Sequence, residues 1–206
     1  IPARLLQRDY PFVRLHDARD GVVFRDDVSR VIVVTTNDGQ GAARFLRREF
    51  SGSEVFTQAL PGFGWTRRIF DLAPSEVESW AQVHLPPITD PGAEGALLKY
   101  THGGLLGPAR SGDAPVLAVL WGFAAEPVEA FFTEVVLQGA EGTLLRESHL
   151  AYPAPFLQPG DWETLRMLNL FDLPATLDVR SVVEVQLVPN GLRSGRDIAP
   201  TVRFRP

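Results

Sequence analysis

The chain contains no cysteine, one lysine (Lys99) and one methionine (Met167). Without cysteine there can be no disulfide, no thiolate nucleophile and no Cys-ligated zinc, and the redox compartment stays open. A phosphate-cradling P-loop requires G-x-x-x-x-G-K-[ST]. Lys99 precedes Tyr100 and follows no glycine loop, so that motif is excluded. Spanning a bilayer as a helix takes about 18 or more apolar residues. The longest apolar stretch here, Val116 to Ala125, is too short, so no membrane span is expected. Ile1-Pro-Ala-Arg shows no signal-peptide pattern, and the missing initial Met is expected of a processed or inner start.

Charge narrows the partners. The formal net charge of −5 over 206 residues disfavours a nucleic-acid backbone, which selects a basic face. Only Arg44, Arg47 and Arg48 form a basic cluster. Arg, Ala, Gly, Pro and Leu are plentiful, as GC-rich codons alone would produce. Few Asn, the 17 prolines and the absent Cys also suit a heat-tolerant chain.

Strand signals dominate. Ser29 to Thr36 is rich in β-branched residues and ends at Asn37-Asp-Gly39; with Gly21 to Phe24 before it, residues 20–40 read as a hairpin. Glu54 to Leu60 and Trp65 to Phe70 read as a second hairpin around Pro61-Gly62. Val77 to Leu85 fits a helix at its start, behind Pro74, and a strand at its end. Pro86 to Pro115 reads as a long loop or insertion, with breakers at Thr101-His-Gly-Gly104. Pro115 to Phe123, Val128 to Leu137 and Gly142 to His149 look like a meander. Asp161 is placed to cap a helix bearing Trp162, Leu165, Leu168 and Phe171 on one face. Arg180 to Val188 is a strand stopped by Pro189-Asn-Gly191, and Thr201 to Phe204 is a last or edge strand.

Turn signals recur roughly every 8–12 residues, the spacing of a sandwich or barrel. The expectation is therefore an all-β or β-dominated fold. It would be an antiparallel β-sandwich, jelly-roll-like, with one or two short helices, forming a single domain over residues 1–206. Strand order is left open. This strand pattern, across most of the chain, resembles the single jelly-roll capsid proteins of bacterial viruses. The resemblance has no diagnostic motif, so it transfers no residues. It implies a structural building block located in a virion, self-associating or meeting other structural subunits, with no cofactor and no active site.

Candidate chemistry is sparse. His16, His84, His102 and His149 are far apart and form no H-x-H or H-E-x-x-H. His16 and Asp17 could meet Asp26 and Asp27 across the first hairpin and bind calcium, although solvated turn acids are the plainer use. Ser148-His149 has residue types of a hydrolase but no nucleophile elbow, and neighbours on a strand face opposite ways. Glu134 and Glu147 could share a face and serve as paired carboxylates, against a cross-strand pairing with Arg146 or Arg180. Trp65, Trp80, Trp121 and Trp162 could line a sugar-binding face, against burial in a core. Phe131-Phe132 faces both ways on a strand, so either both sheet faces are covered or one ring meets a partner chain. Three functions follow: an assembly protein with Phe131 and Phe132 as interface candidates, a ligand-binding sandwich module, or a carboxylate-dependent hydrolase.

Overall fold

The computed structural model describes residues 21–35, 41–60, 62, 65–90, 97–108, 113–126, 129–150 and 161–206. The fold is β-dominated and sandwich-like, with three antiparallel sheets packed together. The strands are β1 (Gly21–Arg25), β2 (Val31–Thr35), β3 (Glu54–Leu60), β4 (Trp65–Leu72), β5 (Leu98–Leu106), β6 (Val116–Phe123), β7 (Phe131–Gly139), β8 (Gly142–Leu150), β9 (Leu165–Asp172), β10 (Val182–Gly191) and β11 (Val202–Phe204). Among the described residues the α-helices are α1 (Gly41–Glu49), α2 (Pro74–His84) and the single turn α3 (Asp161–Thr164). The middle sheet runs β1-β9-β6-β5, the back sheet β11-β10-β7-β8 and the small sheet β2-β4-β3.

The middle sheet organises the layers. Every residue of β6 is buried, and β9 is buried at all but Arg166 and Asp172. Successive side chains leave a strand on opposite faces, so such strands need a cover on each side. On one side Leu117, Val119, Trp121, Met167 and Phe171 pack against Phe131, Val135, Leu137, Val185 and Leu187 of the back sheet. On the other, Val22, Phe24, Ala118, Leu120, Leu168 and Leu170 pack against α1, α2 and the small sheet through Phe45, Leu46, Val77, Trp80 and Phe70.

Double burial explains several departures from the sequence expectations. The two strands of the hairpin expected over 20–40 do not pair with each other: β1 pairs with β9, and β2 pairs with β4 in another sheet. The first four residues of β1 are all buried, whereas β2 exposes alternate residues, so the two strands belong to different layers. The helix expected over Trp162–Phe171 stops at Thr164, and β9 follows. An apolar run covered on both faces satisfies a strand as well as a helical stripe does. Its one polar core residue, Asn169, accepts a hydrogen bond from the Trp121 indole. The expected meander also divides: β7 and β8 pair, but β6 lies in the middle sheet.

The long loop expected over 86–115 carries β5, a nine-residue strand. Gly103 acts there through close approach, because a Cβ would lie 2.7 Å from Cζ of Phe204. Residues 77–85 are helical through His84. Glu76 accepts from the Ala73 backbone N–H at 2.6 Å, Pro74 opens the helix, and Val77, Trp80 and Ala81 turn inward. The strand β10 runs through Pro189, whose carbonyl accepts from Ile198 N–H at 3.0 Å. A strand residue directs its N and O to the same side, so the missing proline N–H costs no bond to β7. The 54–60/65–70 hairpin, the 115–123 strand and the final strand form as expected.

One polar contact crosses the first core. Tyr100 of β5 hydrogen-bonds the side chain of Thr133 on β7, and burial raises the phenol pKa far enough to keep it protonated. Replacing Thr133 by Val should leave the Tyr100 hydroxyl buried without that partner and cost about 1–3 kcal/mol. Tyr100→Phe removes the same bond from the other side. The double variant should lose less than the sum of the two single losses, as urea unfolding of all four proteins will measure.

Candidate interaction surface

The outer face of the small sheet is built from the register of three strands. Val33, Phe70 and Leu72 point into the second core. The alternate positions therefore point out. Val34 lies opposite Ile69, and Ile69 lies opposite Phe56, giving one row across β2, β4 and β3. Ile32 stands opposite Asp71, and Gln58 opposite Arg67. An antiparallel sheet with one solvated face normally alternates apolar and polar residues. Here Ile32 is 58% exposed, Val34 51%, Phe56 44%, and Val55, in the β3 bulge, 61%. These four side chains present on the order of 400 Å² of apolar surface, comparable with the largest patch on a typical monomer, which is often functional.

Charged groups rim the patch. Arg30 Nε donates to Asp71 Oδ1 at 2.7 Å, and this guanidinium lowers the Asp71 pKa. Arg67 is exposed on the same face, two residues before Ile69. On the inner face Arg68 Nη1 donates to Glu54 Oε1 at 2.6 Å and to Thr57 Oγ1 at 2.9 Å. Hydrogen bonds from the Thr57 hydroxyl and Arg68 lower the Glu54 pKa. Among the described residues, neither β2 nor β3 pairs with a further strand on its free edge. The sequence signal for this face was the failure of Ile32 and Val34 to alternate with polar residues.

The residues singled out from sequence lie elsewhere. Phe131 is 0% exposed, its ring centroid 5.6 Å from that of Trp121 and 6.3 Å from that of Phe123. Phe132 is half-buried on the opposite face of β7. Glu134 and Glu147 do not share a face. Glu147 lies opposite the inward Val135, whereas Glu134 lies opposite Ser148 and reaches Arg146 at 3.6 Å. Ser148 is exposed, while His149 packs edge-on against Phe171 at 4.9 Å and sits 3.6 Å from Glu147.

Only half of the acidic turn, Asp26 and Asp27, is described. His16 and Asp17 lie outside the described residues. Asp27 is bridged to Arg25 at 2.6 Å and Asp26 to Arg166 at 2.6 Å. Among the described residues no three metal-donor side chains cluster. Trp80 and Trp121 are core residues, Trp162 is half-buried, and the side chain of Trp65 lies outside the described part. The basic cluster on α1 is tied to acids, with Arg44 on Asp172 at 2.8 Å and Arg48 on Glu49.

No family model, curated protein or solved structure matches the chain.

The β10–β11 loop offers converging backbone donors, and the protein fills them itself. Glu129 accepts from the N–H groups of Arg193 at 2.8 Å and Ser194 at 3.1 Å. Hydrogen bonds from the Ser194 side chain and the Arg193 backbone lower its pKa below the usual carboxylate value. A lowered folded-state pKa means that the clamp is in force above the unfolded-state value and is lost as pH falls through the folded one. Amide exchange at Arg193 and Ser194 should therefore rise, relative to neighbouring amides, as the solution is acidified through that lowered pKa. Glu129→Gln should show the loosened loop already at neutral pH.

Proposed function

We propose that this protein is a structural subunit that works by protein–protein contact, a capsid-type building block assembled with further structural subunits in a virion. The observation supporting this reading is the apolar outer face of the small sheet, where Ile32, Val34 and Phe56 are exposed beside the half-buried Ile69 and belong to neither core. A rigid, doubly covered middle sheet supports that face from behind, and charged groups at its rim would fix orientation more than affinity.

The test is the native mass by sedimentation over a wide range of protein concentration and salt, followed by negative-stain imaging of the most concentrated sample. Discrete symmetric oligomers or extended sheets are expected. A strict monomer under every condition would remove the proposal.

A further inference from the structure

We infer that the outer face of the small sheet pairs with the same face of a second copy, related by a twofold axis passing beside Ile69. The inference rests on the assembly reading above and adds the surface, the occupant and the geometry.

Symmetry and charge carry the argument. Arg67, Ile69 and Asp71 alternate outward along β4, with the cation and the anion equally spaced on either side of Ile69. A twofold axis in the interface plane, perpendicular to β4, reverses the strand direction across the contact. Ile69 then meets Ile69 of the other copy, and Arg67 of each copy meets the Asp71 carboxylate of the other, which it shares with Arg30 of that copy. Val34 and Phe56 lie level with Ile69 on the flanking strands, so each also meets its own equivalent. An isologous contact requires this kind of self-complementarity. Aligned sheets pack about 10 Å apart, close enough for such side chains to interdigitate.

Area is consistent with the same occupant. Two faces of this size, with Gln58, Arg67 and Asp71 included, would bury on the order of 1,000 Å², where specific interfaces begin. The dimer is accordingly a modest contact, strengthened by repetition in an assembly.

The absence of cysteine from the chain makes the geometry directly testable. Ile69→Cys should be joined into a covalent dimer by a bis-maleimide with a spacer of about 8–10 Å, matched to the ~10 Å spacing of packed sheets and beyond the reach of a direct disulfide, read on a denaturing gel. Val183→Cys and Leu192→Cys, exposed away from this face, should stay monomeric on the gel. Val34→Lys places two cations against each other at the twofold axis and should weaken self-association at least tenfold by sedimentation, with an unchanged circular dichroism spectrum. If the unmodified protein associates while Ile69→Cys fails to link and Val34→Lys associates normally, the twofold contact is wrong and assembly uses another surface. If the unmodified protein never associates, both this inference and the assembly reading fall.

Discussion

The structure depends on one constraint: the two central strands of the middle sheet, β6 and β9, have no face that water can cover. Val116 to Phe123 is apolar but for Gly122, and β9 carries Asn169 as its only fully buried polar side chain. Once that sheet forms, a second sheet must close one face and helices must close the other. The back sheet does the first. The pair α1 and α2 does the second with the small sheet, through Phe45, Leu46, Val77 and Phe70. Trp121 marks the junction, stacking edge-on among Phe123 and Phe131 while its indole N–H is absorbed by Asn169. The outer layer inherits its orientation from this arrangement, and with it the face that it turns away.

The sequence was most legible where one physical signal acted alone. The β6 run is continuous and apolar, and the β3–β4 hairpin is bounded by Pro61-Gly62. It was misleading where two signals overlapped. Over Leu165 to Phe171 the helical stripe and the doubly buried strand use the same residues, and only the cover on both faces decides between them. Gly103 and Gly104 carry the composition of a turn, yet Gly103 makes room for the Phe204 ring, a contact from the far end of the chain. Gly21 to Thr35 has the spacing of a hairpin, but the burial of Val22, Val23 and Phe24 on both sides of β1 draws it into the middle sheet.

The candidate surface was not anticipated from the sequence, although one trace of it was there. The β-branched run Val31 to Val34 signals a strand, and its missing polar alternation signals an unusual outer face. Its alignment with Ile69 and Phe56 depends on register, including the bulge at Val55, which residue types alone do not encode. Register likewise separates Glu134 from Glu147, since a shift by one position moves a side chain to the other face. The ring of Phe131 lies in the core and Phe132 is half-buried on the other face of β7, whereas the exposed apolar face described above belongs to a different sheet.

The pairing of β1 with β9 has a consequence for how the chain must be made. Gly21 finds its partner in Asn169, so the middle sheet cannot close until the chain has been made through β9. Contacts this distant in sequence carry a large loop-closure cost and slow folding. Until β9 arrives, β6 has only β5 beside it, with one of its edges unpaired. During synthesis on the ribosome the nascent chain therefore holds an aggregation-prone strand that the later β9 must rescue.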